Sequence, residues 1–320
     1  MLATALGLAG AATCSRAIAL ARGRPAVVGV IDADRPASRD AYARFVRAIR
    51  QRGLVDRFGV RPVFIPADQT IEADLLDLPN RVRISGASIV VATSMPAALA
   101  AKRLNVPALF FAPRDPIAHG LVDSIQRPGG MMTGYVSRPP SIAKMMELAI
   151  DVAPKIKRVA VITEKMLSRD EGQGADSARD GAARFGLSAE LLVIEERDAF
   201  RQFLDRRLRS FDALVMPWTR LPYEHFDHVL DELRRRRVIA VLGSSRQARG
   251  GGLIALYPDF DDSADVIARQ LEALLLGVPP GDIPVERSRL FRMSINLATA
   301  REIGIQLSPA LIKRADVLFE

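Results

Sequence analysis

Five short stretches carry side chains able to grip a small polar molecule. Asp32-Ala33-Asp34-Arg35 sets carboxylates, which can hold an ammonium group, beside a guanidinium, which can hold a carboxylate. Thr93-Ser94-Met95-Pro96 puts two hydroxyls just ahead of a helix start marked by proline, where free backbone N–H groups favour an anion. Asp115 stands before Pro116 in the same kind of position. Trp218-Thr219 offers a flat ring for stacking next to a hydroxyl. Ser244-Ser245 repeats the hydroxyl-before-helix arrangement. Each has a competing structural reading: Asp, Ser and Thr at these places cap helices, the first-loop charges can be solvated, and a lone Trp is as often a core residue.

Chemistry beyond binding is not encoded in any motif. A nucleophile elbow, a Walker loop and a zinc-ligand signature are all missing, and no Ser/His/Asp set can be assembled. The expectation is a binding protein rather than an enzyme, with no cofactor and no metal. His225 and His228 lie one turn apart but lack a third ligand, so a surface helix explains them better. The run Arg234 to Arg237 ends an amphipathic helix, where cations suit the helix C-terminus, and reads as a solvated face. Gly250-Gly251-Gly252 lacks the strand-turn-helix order of a phosphate loop and reads as a turn.

The elements that must hold these stretches alternate regularly. Strands are expected at 26–31, 60–65, 87–93 and 108–112, then again at 158–163, 191–194, 213–216, 238–242 and 253–257, with helices between. A helix is expected from Asp115, with Ile117, Leu121, Val122 and Ile125 on one face, stopped by Arg127-Pro128-Gly129-Gly130. Met131 to Val136 reads as extended, Pro139-Pro140 as a break, and Ser141 as the start of a new helix. This βα alternation, twice over, implies an α/β protein of two doubly wound, Rossmann-like parallel sheets. In such sheets ligands sit beyond the carboxyl ends of the strands, which is where all five stretches fall.

Composition agrees. The chain has 320 residues, 49% of them hydrophobic and 26% charged, enough for two domains with real cores. Its formal charge of +8 is spread along the chain without interleaved aromatics, which disfavours nucleic acid as a partner. Residues 1–21 are apolar and small, lack acidic side chains and end in Ala19-Leu20-Ala21, the pattern of an export signal. Cys14 is the only cysteine, and Ala11-Ala12-Thr13 before it is no lipobox, so lipid anchoring is not expected.

Two longer motifs carry a family resemblance. DPIAHGLVDSIQRPGGMMTG (115–134) resembles the signature of the ABC transporter substrate-binding proteins that include tryptophan- and tyrosine-binding lipoproteins, of type I periplasmic binding fold. FRMSINLATAREIGIQLSPALIKRADVLFE (291–320) is similar to that family's closing segment. The resemblance implies two lobes joined by a hinge, with lobe 1 at 22–136 plus about 258–280 and lobe 2 at 137–257 plus about 281–320. It implies a monomer in the periplasm that binds an amino-acid-like or carboxylated ligand between the lobes and hands it to an inner-membrane ABC permease. Thr93-Ser94-Met95 falls on the family's ligand loop, with Met95 where the family has Thr, and Asp115 falls on its aspartate at the cleft mouth. Met131, Thr163-Glu164-Lys165 and Ala255-Leu256-Tyr257 also depart from the pattern, which leaves the ligand open. A module signalling to a membrane sensor kinase is the alternative. The effector domain of a transcription regulator is a third, and it would need a DNA-binding segment.

Overall fold

A computed structural model describes residues 25–68, 72–112, 115–165, 168, 172–194, 196–217 and 226–320. The export-signal stretch 1–21, Trp218, Thr219 and His225 lie outside the described residues. The chain begins β1 (Val27–Asp32), α1 (Pro36–Gln51), α2 (Leu54–Phe58), β2 (Arg61–Pro66), α3 (Glu72–Leu76), α4 (Leu78–Ser85), β3 (Ile89–Ala92), α5 (Met95–Lys102), β4 (Ala108–Ala112) and β5 (Met132–Val136). It continues α6 (Ile142–Val152), β6 (Arg158–Thr163), α7 (Ala175–Phe185), β7 (Ser188–Val193), α8 (Arg197–Arg206), β8 (Ala213–Met216), α9 (Phe226–Arg235), β9 (Ile239–Leu242), α10 (Ser245–Arg249) and β10 (Ile254–Pro258). It closes with α11 (Phe260–Leu275), β11 (Glu286–Arg287), β12 (Phe291–Asn296), α12 (Leu297–Ile303), α13 (Pro309–Lys313) and β13 (Val317–Phe319).

These elements form two compact units, and the chain passes between them three times. The first takes the chain through Arg138 and adds Asp259–Ser288, while the second is Pro139–Pro258 with Arg289–Glu320. Unit 1 is a six-stranded sheet of order β11-β5-β4-β3-β1-β2, every pair parallel. Its inner strands are buried along almost their whole length because helices cover both faces. One face packs on α1 and α11 through Val28, Val30, Phe45, Ile49, Leu271 and Leu274. The other packs on α4 and α5 through Ile31, Leu78, Val82, Ala97 and Ala101. Gly134 on β5 is required there, since a β-carbon would lie 2.1 Å from the Phe110 carbonyl oxygen.

Unit 2 is a seven-stranded sheet of order β13-β12-β10-β9-β8-β6-β7. All its pairs are parallel except β10 with β12. Helices α6 and α7 cover one face and α8 and α9 the other. Where α6 and α7 cross, Gly181 lets the backbones close up: a β-carbon there would sit 2.8 Å from Met146 Sδ and 2.9 Å from Ala143 Cα.

Three local expectations differ from the structure. The segment from Asp115 to Ile125 is a series of turns rather than a helix. Asp115 Oδ1 accepts from the N–H groups of Ile117 and Ala118, Gly120 turns the chain at φ 65°, and the Asp123 N–H donates to the Pro128 carbonyl. The apparent apolar stripe is not one face, because Leu121 and Val122 are buried while Ile117 stays 43% exposed. Between β2 and β3, where one helix was expected, there are two short ones, α3 and α4, broken at Asp77 just before Leu78-Pro79. In the arginine run, Arg236 is drawn inward over the buried Glu232, with Nε 2.7 Å from its Oε2, while Arg235 and Arg237 remain exposed.

Candidate functional site

In unit 1 the strand order 2-1-3-4-5 reverses direction between β1 and β3. The loops leaving those two strands flank the crevice where open parallel sheets bind ligands. They are the loops at Asp32–Arg35 and Thr93–Met95.

The first loop turns its charges on its own surroundings. Asp34 grips Arg39 with both oxygens, Oδ1 to Nε at 2.6 Å and Oδ2 to Nη2 at 2.8 Å, and the Arg39 guanidinium lies 4.1 Å above the Phe64 ring. That hydrogen bond holds the Asp34 carboxyl below its usual range. Arg35 Nη2 reaches Asp68 Oδ1 at 3.3 Å, and Asp32 Oδ1 accepts from the Ala33 N–H at 2.8 Å. Asp34 and Arg35 are exposed, so these pairs are weak and exchangeable.

The second loop separates its two hydroxyls by role. Thr93 Oγ1 donates to the Ile31 carbonyl at 2.9 Å, so its proton is spent on tying β3 to β1. Ser94 is the N-cap of α5 and its Oγ accepts from the Ala97 N–H at 3.3 Å. A hydroxyl that accepts in this way keeps its own proton for donation. Capping and ligand binding are therefore compatible at Ser94. Met95, at the first position of α5, is only 6% exposed and packs into the core cluster of that face. Asp115 is exposed, with Oδ1 occupied by its own turn and its carbonyl 2.9 Å from His119 Nδ1.

Unit 2 reverses strand order between β6 and β8. Trp218 and Thr219, which follow β8 in the sequence, lie outside the described residues. Strand β6 ends at Thr163 and the loop after it begins with Glu164, a pair that departs from the family pattern and was not among the candidate site residues. Glu164 is 8% exposed, and the fully buried Thr163 hydroxyl has no hydrogen-bond partner. The signal for them was the strand order, which the sequence alone does not display. Ser244 and Ser245 follow β9, one strand further along. Ser244 caps α10 by accepting from the Gln247 N–H at 3.3 Å, and Ser245 Oγ receives Ser294 Oγ at 3.2 Å, itself 2.8 Å from the Tyr257 hydroxyl.

Among the described residues no group of three or more His, Cys, Asp or Glu could hold a metal ion, and no helix is long and apolar enough to cross a membrane. His228 lies exposed on α9.

Comparison with known proteins adds to this geometry. A family model described as ABC transporter substrate binding protein matches residues 67–318. A tyrosine-binding protein of Clostridioides difficile is 24% identical over 283 residues, covering 85% of this chain and 79% of that protein. The structure of an ABC domain in complex with L-Trp from Streptococcus pneumonia superposes with a TM-score of 0.74 at 20% identity, over 92% of this chain and 100% of that one. A ligand-free, open Clostridium difficile substrate-binding protein with adhesive properties gives 0.74 at 20% identity, over 92% and 99%.

Proposed function

We propose that this chain, which belongs to the ABC transporter substrate-binding protein family, binds a small amino acid or similar carboxylated ligand and presents it to an ABC permease on the outer side of the inner membrane. The family is one of solute binders, and its fold of two parallel-sheet units is the one described above.

The observation that carries the ligand class is Ser94. It stands at the strand-order reversal of unit 1, caps an eight-residue helix and retains a proton to donate. A carboxylate placed there would meet that hydroxyl and the free N–H groups of the helix start together. The neighbouring charges of Asp34 and Arg35 are held in exposed pairs that a ligand's ammonium or carboxylate can exchange into. Tyrosine and tryptophan head the candidates, because relatives over most of the chain are a tyrosine-binding protein and a domain solved with L-Trp.

Calorimetric titration with L-tyrosine and L-tryptophan, set against tyramine and tryptamine, tests this reading. The amines keep the ring and the ammonium group and lack only the carboxylate. Binding of an amino acid at least roughly tenfold tighter than its amine is the expected result, the weight of one charged hydrogen-bonded group. Equal affinities, or no binding of any of the four, would refute it.

A further inference from the structure

The starts of the parallel strands in unit 2 form a rim, at the opposite end of that sheet from the loops where a ligand would sit. Strands β6, β8 and β9 begin level, with Val159 opposite Ala213 and Ala213 opposite Ile239, and Arg158 on β6 is level with Ser188 on β7. Onto this rim run Lys157 just before β6, Arg206 at the end of α8, Arg209 in the turn before β8, and Arg237 just before β9. The ends of α8 and α9 meet there, Arg236 Nη2 lying 3.8 Å from Asp205 Oδ1. The other nearby carboxylates are also engaged: Glu190 by Arg207, Glu232 by Arg235 and Arg236, Asp231 by Arg234, and Asp212 by the N–H groups of Lys157 and Arg158. Lys157, Arg206, Arg209 and Arg237 are exposed and make no ion pair with a described residue. Arg237 also sits at φ 55°, a left-handed conformation that favours glycine, and closes α9 with its N–H on the Arg234 carbonyl. A side chain there costs stability, so this charge is kept against the preference of the backbone.

Among the described residues, no exposed large apolar side chain falls in 154–158, 184–188, 206–212 or 234–238. A docked protein would ask for an apolar or aromatic centre, which this rim lacks. Guanidinium groups on a level surface suit phosphates instead, through paired N–H donors. We propose that the rim is a docking surface for an anionic phospholipid bilayer, which holds unit 2 against the membrane by charge alone and without insertion. Because the rim lies at the far end of the sheet from the ligand loops, the contact is independent of the ligand class proposed above.

Flotation of the intact protein with vesicles tests this. It should bind mixed vesicles of phosphatidylglycerol and phosphatidylcholine at low salt, ignore phosphatidylcholine alone, and come off as salt screens the contact. Arg206→Gln, Arg209→Gln and Arg237→Gln combined should weaken binding roughly hundredfold, about fivefold for each charge removed near an anionic surface. Three equal charges removed from exposed positions of unit 1, by Arg50→Gln, Arg61→Gln and Arg103→Gln, should together weaken it less than about fivefold. Arg237→Gly alone should lose about fivefold in binding yet melt at a higher temperature, because glycine suits the left-handed position. A parent protein that leaves the anionic vesicles unbound overturns the proposal, and so does one that binds soluble polyglutamate but not the vesicles. Equal losses in the two triple variants would show a response to net charge alone and overturn it too, as would full vesicle affinity in Arg237→Gly.

Discussion

The two hydroxyls of the β3–α5 loop should respond oppositely to removal. Thr93 Oγ1 is bonded to the Ile31 carbonyl at 2.9 Å, and Thr93→Val keeps the shape while breaking that bond. It should cost about 1 kcal/mol of stability and leave ligand affinity within roughly twofold. Ser94 does two jobs, so Ser94→Ala should lose about 1 kcal/mol as a cap and also the charged hydrogen bond to the ligand. The second loss is about 1.5–3 kcal/mol, a tenfold to hundredfold fall in affinity. Ser94→Gly separates the jobs, because glycine caps within a few tenths of a kcal/mol of serine yet has no hydroxyl. Its thermal melt should match the parent while its titration matches that of Ser94→Ala. Thermal denaturation and calorimetry with L-tyrosine or L-tryptophan on the three variants give the answer. A Ser94→Gly protein with undiminished affinity would show that the hydroxyl only caps, and the reasoning that places the ligand's carboxylate there would fall.

Two further outcomes test the scaffold. At the α6–α7 crossing, Gly181→Ala gains about 1 kcal/mol in helix propensity but drives a β-carbon to 2.9 Å from Ala143 Cα, an overpacking that costs about 1–3 kcal/mol. Clash should win by about 1 kcal/mol in a urea melt, and a stabilised variant would mean that the two helices slide apart easily. Asp212 accepts from the N–H groups of Arg158 and Lys157, which holds its carboxyl below the ordinary 3.8. A lowered acid stabilises the fold above its unfolded value and loses that contribution as pH falls. Asp212→Asn should thus destabilise at neutral pH, with the gap from the parent narrowing below pH 3.8, and a gap that does not change with pH would refute the assignment.

The repeated strand-helix alternation was legible because parallel strands buried on both faces read as plain apolar runs, as Ile89–Ala92 and Ala213–Met216 do. The two long motifs gave the family. The turn segment after β4 was misread because Ile117, Leu121, Val122 and Ile125 keep helical spacing, while the positive φ of Gly120 and the side-chain bonds of Asp115 decide the conformation. Periodicity cannot see such local capping. The candidate loops were found as strand ends, but their division of labour was not: that Thr93 bonds inward and Ser94 keeps a proton depends on where the Ile31 carbonyl lies. Glu164 was not among the candidates because its place at a reversal in strand order is a long-range property that no spacing encodes.

The division of unit 1 into two stretches of chain bears on how the molecule can be made. Helix α1 buries Phe45, Ala48 and Ile49 against α11, and Arg52 Nε is 2.8 Å from Asp265 Oδ1 across 213 residues of sequence. During synthesis the residues of unit 2 between Pro139 and Pro258 emerge before α11 does. Until then the part of α1 that packs on α11 has no cover, and β5 lacks the neighbour that β11 later supplies. Closing so long a loop is tolerable in free energy, since each doubling costs only about 0.6 kcal/mol, but contacts of such separation form late and slowly. A ribosome-bound or freshly released chain thus carries a half-finished first sheet with a sticky helix, the kind of intermediate that aggregates or recruits a chaperone.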